Sequence, residues 1–86
     1  MNNKKVIELV EICLAFDLAI KIKPEQREIV VTFKHVGLSS AKLIPFTIRC
    51  NVTSMDIELV RDVVSMITAG DTRQAVEKRI NEFVPF

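Results

Sequence analysis

Residues 18–34 read LAIKIKPEQREIVVTFK, two runs of alternating apolar and polar side chains around a polar segment that contains a proline. Because side chains alternate between the two faces of a β-strand, the isoleucines of the first run share one face, and Lys21 and Lys23 share the other. Residues 24–27 have turn chemistry, since proline fixes φ and its polar neighbours need no burial. The stretch therefore predicts a β-hairpin with one apolar and one basic face.

A further alternating run predicts a third strand over residues 43–52, after a turn at residues 37–40. The pattern assigns these side chains of the second and third strands to the apolar face: Ile29, Val31, Phe33, Ile44, Phe46, Ile48, Cys50 and Val52. It assigns Pro45, Thr47, Arg49 and Asn51 to the opposite face. Pro45 has no N–H for a ladder, so we expect the third strand at an edge of the sheet or bulged at that residue.

Residues 3–17 predict a helix that is apolar around most of its circumference. Its polar stripe is narrow and consists of Lys4, Glu8 and Glu11. We therefore expect the helix to be buried on more than one side, between the sheet and another helix or in a dimer interface. Asp17 lies opposite Glu8 on the helical wheel, which predicts that the helix ends there.

Two more helices are predicted after the strands. Thr53 with Asp56 resembles a capping box ahead of an apolar stripe, and Gly70 suits the end of that helix. Asp71 with Gln74 offers a cap for the last helix. The side chains of its narrower apolar stripe are Ala75, Val76, Ile80, Phe83 and Val84.

The element order is thus helix, three strands and two helices in a chain of 86 residues, which is short enough for a single domain. Short turns favour an antiparallel sheet with the helices packed on one face, an α+β two-layer sandwich. The apolar share of 49% is high for so small a domain, and a homodimer would cover the excess. We expect Phe83, Val84 and Phe86 as candidate dimer contacts.

Charge is unevenly distributed, although the formal net charge is only +1. Residues 18–52 carry six Lys or Arg against two Asp or Glu, and residues 53–86 carry four against six. The near-neutral total disfavours both a highly basic nucleic-acid coat and an acidic mimic of nucleic acid. The first segment still predicts a local basic surface.

The basic sheet face is the candidate site for a polyanion or a partner. Its predicted members are Lys21, Lys23, Thr32, Lys34, Thr47 and Arg49. Lysine, arginine and hydroxyl side chains contact phosphates, but sheet surfaces that bind single strands usually also display aromatic rings. No phenylalanine falls on this face, which favours an ordinary solvated face over a nucleic-acid site.

The order helix, three strands, helix resembles that of double-stranded-RNA-binding domains. That family has a lysine-rich start to the helix after the sheet, whereas residues 53–58 here are acidic. The resemblance covers topology alone, and we do not assign the chain to that family.

The sequence supplies no catalytic, metal or cofactor motif. His35 with Cys50 is the only conceivable nucleophile pair, but strand alternation turns Cys50 inward, and a structural cysteine is the commoner reading. One histidine and two cysteines do not provide metal-ligand spacing, and two glycines cannot build a phosphate loop. We expect neither enzyme activity nor a cofactor.

Glu8 and Glu11 interrupt the first apolar stretch, so neither a signal peptide nor a membrane span is expected. Free cysteines favour a reducing compartment, the cytoplasm. The leading hypothesis is a non-catalytic, homodimeric protein-interaction module that binds an unknown larger protein through a flat patch, of the accessory kind often encoded by phages or plasmids. The alternative is a nucleic-acid-binding protein that uses the basic sheet face.

Overall fold

The computed structural model describes residues 3–36, 41–49 and 51–83. Its elements are α1 (Asn3–Ala15), β1 (Ala19–Lys23), β2 (Glu28–Val36), β3 (Ala41–Arg49), α2 (Ser54–Thr68) and α3 (Arg73–Asn81). The strands form an antiparallel sheet in the order β1-β2-β3, and side chains of all three helices share one core with one face of the sheet. This confirms the predicted α+β fold.

The hairpin between β1 and β2 confirms the predicted turn at residues 24–27. The N–H of Arg27 donates to the carbonyl of Pro24 over 3.2 Å, and Arg27 adopts a left-handed φ of 54°. The turn aligns Lys23 with Glu28 and Ile20 with Val31. The apolar face of β1 therefore continues the apolar face of β2, as the alternation predicts.

The central strand β2 supplies the middle of the core. Ile29, Val31 and Phe33 are at most 1% exposed, whereas the alternate residues of β2 are half-buried or exposed. Burying each such side chain contributes about 1.5–3 kcal/mol. Phe33 is the largest of the fully buried side chains and lies opposite Ile44 of β3.

β3 lies at an edge of the sheet, which confirms the prediction from Pro45. Pro45 is aligned with Thr32 in an unbroken register, so no bulge is needed. The strand covers Ala41–Arg49, starting two residues earlier than expected, and Val52 is buried beyond its end. Cys50 and the predicted turn at residues 37–40 lie outside the described residues.

α1 ends as predicted around Asp17. The N–H of Leu18 donates to the carbonyl of Cys13 over 2.8 Å, and the N–H of Asp17 donates to the carbonyl of Leu14 over 3.4 Å. Asp17 has a φ of 56°. This pair of bonds around a left-handed residue is the Schellman motif, in which aspartate takes the place usually held by glycine. The motif directs the chain from α1 into β1.

The capping box of α2 is confirmed. Asp56 Oδ2 accepts from the N–H of Thr53 over 2.8 Å and from its hydroxyl over 2.9 Å, and Thr53 Oγ1 accepts from the N–H of Asp56 over 3.2 Å. Asp56 is only 3% exposed, and its Oδ2 accepts both of these bonds from Thr53. The end of the helix is also confirmed, since Gly70 has a φ of 85°.

The predicted cap of α3 is wrong by one residue. Thr72, not Asp71, is the N-cap, and its hydroxyl accepts from the N–H of Ala75 over 3.2 Å. The N–H of Asp71 instead donates to the carbonyl of Met66 over 3.0 Å, closing the Schellman motif of α2. Asp71 thus belongs to the end of α2, and α3 begins after Thr72.

We predict that Asp56→Ala lowers the free energy of unfolding by about 2 kcal/mol, because it removes two hydrogen bonds to a charged group and leaves the Thr53 N–H without its acceptor. Thr72→Ala is the matched control, since it removes a single exposed capping bond and should cost only about 0.5–1 kcal/mol. Urea unfolding followed by circular dichroism measures both. Equal losses would contradict this account of the capping box.

Candidate functional site

The outer face of the sheet is the side opposite the helices, and the structure places all six residues of the predicted basic site on it. The register arranges the face in rows across the strands: Lys23–Glu28–Arg49, Lys21–Val30–Thr47, Ala19–Thr32–Pro45, Lys34–Leu43 and Val36–Ala41. Most of these side chains are exposed and the remainder half-buried, with none in the buried core. The face is thus open along the whole sheet.

The basic end of this face contains a carboxylate that the sequence pattern did not place there. Glu28 is aligned with Lys23 on one side and with Arg49 on the other. Directly opposite residues of an antiparallel pair have Cβ atoms about 4.5–5.5 Å apart, so both cations flank the same carboxylate, although neither forms an ion pair with it within 4.0 Å. The predicted basic face therefore also carries a carboxylate, and its four cations with Glu28 give a face charge of +3.

The other end of the outer face is apolar. Val36 is 70% exposed and Leu43 is 64% exposed. Lys34, aligned with Leu43, is six residues along β2 from Glu28, which corresponds to about 20 Å. Lys34 therefore does not belong to the cluster of Lys21, Lys23 and Arg49. The face has a cationic end and an apolar end, with Thr32 between them.

The cations of the outer face lack ion-pair partners. Within the described ranges, no carboxylate lies within 4.0 Å of the charged groups of Lys21, Lys23, Lys34 or Arg49. All four cations of residues 54–83 are paired, in Arg61–Glu8, Arg73–Glu77, Lys78–Glu82 and Arg79–Asp62. Each cation of α2 and α3 thus has a carboxylate partner, whereas the four cations of the outer face have none among the described residues and are available to a ligand.

The candidate dimer contacts lie only partly within the described chain. Phe83 packs edge-to-face on Phe46, with ring centroids 5.4 Å apart, and is half-buried against the core. Val84 and Phe86 are outside the described residues. Phe83 thus docks on its own subunit at the β3 side of the sheet and keeps part of its ring accessible.

His35 is engaged in a structural contact. Its Nε2 lies 2.8 Å from the backbone carbonyl of Asp71, which joins the end of β2 to the turn between α2 and α3. A groove of about 590 Å³ opens beside it, lined in part by Lys34, Ile67 and Arg73. The imidazole is thus held by the fold, and its proposed partner Cys50 lies outside the described residues.

Cys13 is buried in α1, 1% exposed, and carries a free thiol. Burial raises the pKa of the Cys13 thiol, because the thiolate loses its hydration in an apolar surrounding. A raised pKa keeps the group in the unreactive thiol form near neutral pH. Its position and chemistry are those of a core side chain.

The described part of the chain contains no group of three or more His, Cys, Asp or Glu residues arranged to hold a metal ion. Among its helices, none combines the length and apolar character that crossing a membrane requires. Comparisons with protein-family models, with curated proteins and with solved structures gave no match.

Two surface features were not predicted from the sequence. Ile7 and Leu14 of α1 are 57% and 76% exposed, so the helix is buried against the sheet and α2 but presents apolar side chains on its outer side. A second groove, of about 240 Å³, lies between the edge strand β3 and α3 and is lined by Leu43, Ile44, Pro45, Glu77, Ile80 and Asn81. Its position depends on packing between elements, which alternation within one strand does not specify.

We predict that Cys13 is protected from thiol reagents in the native chain. In a Cys50→Ser background, labelling at pH 8 should be at least about tenfold slower than for the urea-unfolded chain, because the thiol must leave the core and ionise before it reacts. Mass spectrometry of timed aliquots gives both rates. Equal labelling rates for folded and unfolded chain would exclude the buried thiol.

Proposed function

We propose that this chain is a non-catalytic protein-binding module that uses the outer face of its sheet. The observation that carries the proposal is a contrast in ion pairing. No carboxylate of the described residues lies within 4.0 Å of the outer-face cations, whereas every cation of residues 54–83 has one. A surface charge without an internal partner is accessible to complementary charge on a ligand and steers its approach. The ligand surface is therefore acidic where it meets Lys21, Lys23 and Arg49.

The apolar end of the same face defines the rest of the partner. Val36 and Leu43 are large, exposed and adjacent to Ala41 and Pro45, so they offer a small apolar patch beside the cations. Interfaces between proteins combine an apolar centre with charged groups at the rim. The partner that fits is a protein surface with apolar side chains flanked on one side by carboxylates.

Nucleic acid is the alternative ligand, and the same unpaired cations favour it. Phosphates would meet Lys21, Lys23 and Arg49, with the Thr47 hydroxyl as a further donor. Glu28 opposes this because it places a negative charge in the same row as Lys23 and Arg49. The apolar end has no aromatic ring for a base to stack on, and it fits a protein surface better.

The proposal extends to the setting of the protein. An occluding module of this kind acts beside a larger partner, and we place it in the cytoplasm as an accessory protein of phage or plasmid type. The buried free thiol of Cys13 is compatible with a reducing compartment.

The variant Lys21→Glu with Arg49→Gln tests the outer face. Glutamate at position 23 or 49 would stand directly opposite Glu28 and destabilise the sheet, and this combination avoids that repulsion. The control is Lys78→Glu with Arg73→Gln, which makes the same change in net charge on exposed helical residues. The wild-type chain and both variants are immobilised and exposed to a lysate of the source cells.

We expect the wild type and the control to retain a specific protein, and the outer-face variant to retain at least about tenfold less of it. Added salt should release this protein. Quantitative mass spectrometry reads the retention. Equal retention on all three chains, or none on the wild type, would rule against the outer face as a protein-binding surface.

Gel shifts at low salt with single- and double-stranded DNA and RNA test the alternative. The protein-binding proposal expects no shift. A shift of the wild type that the outer-face variant loses and that weakens steeply with salt would establish nucleic acid as the ligand instead.

A further inference from the structure

The outer edge of β3 is a row of backbone groups with no neighbouring strand in the described chain. Pro45 is aligned with Thr32 in a continuous ladder, and a proline fits such a ladder only where its nitrogen points away from the paired strand. Residues of the same parity as Pro45 therefore direct their N–H and C=O groups to the open side. These are Ala41, Leu43, Thr47 and Arg49, with Pro45 contributing only its carbonyl.

The other edge of the sheet is much less suited to strand pairing. The direction of the backbone N–H and C=O groups alternates along every strand, and the ladder transmits this alternation from β3 through β2 to β1. In β1 it leaves only Ile20 and Ile22 with backbone groups on the open side. Pairing Ile20 with Ile22 of a second copy places Lys21 directly opposite its own counterpart. Like charges in that position are destabilising, and lysines on an edge strand protect against association.

We propose that a second copy of this chain docks edge to edge on β3, so that the two sheets form one continuous six-stranded antiparallel sheet. The two-fold axis passes at Pro45, the central residue of β3, so that the strands of the two copies overlap over their whole length and the two hydrogen bonds that the prolines cannot donate are both missing at the same place. This register aligns Leu43 with Thr47 of the second copy and Ala41 with its Arg49. The proposal does not depend on the proposed function.

Charge is compatible with this register. The only charged residues of β3 are Lys42 and Arg49, and they lie opposite Ile48 and Ala41 of the second copy. No cation faces a cation, in contrast to pairing at β1. Apart from the proline pair, the backbone groups of four aligned pairs point at each other. These are Ala41 with Arg49 and Leu43 with Thr47, each of which occurs twice by symmetry. Each pair exchanges two backbone hydrogen bonds, which gives about eight across the interface.

The surroundings of the edge supply apolar contacts. The groove of about 240 Å³ between β3 and α3 includes Leu43 and Ile80, and Leu43 is 64% exposed in the single chain. Rotation about the axis through Pro45 brings the two α3 helices to the same side of the joined sheet. The partly accessible ring of Phe83 lies at this edge through its contact with Phe46, consistent with its role as a candidate dimer contact.

Light scattering coupled to size exclusion tests the assembly on the full chain at micromolar concentration. We expect twice the chain mass of 9.8 kDa. Amide exchange of the same sample should show protection of the Leu43 and Thr47 N–H groups that increases with protein concentration. A wild-type mass of one chain, or exchange at these amides that is independent of concentration in a dimer, overturns the proposal.

A pair of double variants tests the register. Leu43→Glu with Thr47→Glu places two carboxylates opposite each other at both symmetry-related positions, whereas Leu43→Glu with Thr47→Lys places a carboxylate opposite an ammonium. Within one chain position 43 lies beside Lys34, and position 47 lies beside Val30, so neither variant adds a directly opposed like charge to the monomer. Circular dichroism checks that both fold.

The like-charged variant should weaken the dimer at least about tenfold relative to the oppositely charged one. Sedimentation equilibrium gives both dissociation constants, and added salt should reduce the difference between them. Equal dissociation constants for the two variants would place the interface elsewhere and reject the β3 register. For variants that do not fold, the exchange measurement on the wild type decides the matter.

Discussion

The structure depends on the separation of the two faces of β2. Its inward side chains, Ile29, Val31 and Phe33, are buried almost completely, and this burial aligns β1 and β3 on either side and holds the three helices on one face. A shift of one residue in the register would exchange the faces and expose all three. The free-energy cost of exposing these side chains fixes the register. The register in turn keeps the outer face towards solvent and determines which backbone groups point to the open edges of the sheet.

Much of this arrangement could be predicted from the sequence because strand alternation has a fixed period. The inward positions of Ile44, Phe46 and Ile48 follow from period two alone, and so does the common face of Lys21, Lys23, Lys34 and Arg49. Helix ends could be predicted at Gly70, at Asp17 and at the pair Thr53 with Asp56. The first two residue types tolerate the left-handed backbone that ends a helix, and the pair has the spacing of an N-terminal capping box.

What could not be predicted depends on how elements are placed beside one another. Glu28 belongs to the basic row only because the hairpin register aligns it with Lys23 and Arg49, and a turn shifted by one residue would have placed it elsewhere. Similarly, the sequence offers Asp71 and Thr72 as neighbouring caps. Thr72 caps α3 through its hydroxyl, whereas the N–H of Asp71 donates to the carbonyl of Met66 and its own carbonyl lies 2.8 Å from His35 Nε2.

The same alternation makes the two edges of the sheet different. In β1 the residues with outward backbone groups are two isoleucines, flanked by lysines that repel a copy of themselves, so this edge resists pairing even though Ile22 is 49% exposed. In β3 the charges lie near the strand ends and the proline lies at the centre. A central proline blocks donation at one position, so a proline-free strand aligned with it loses one hydrogen bond, and two copies centred on Pro45 lose two bonds at the same place. Because no charge of β3 faces a like charge in the proposed register, this edge suits a second copy better than β1 does, and the joined sheet that we propose would present two outer faces side by side.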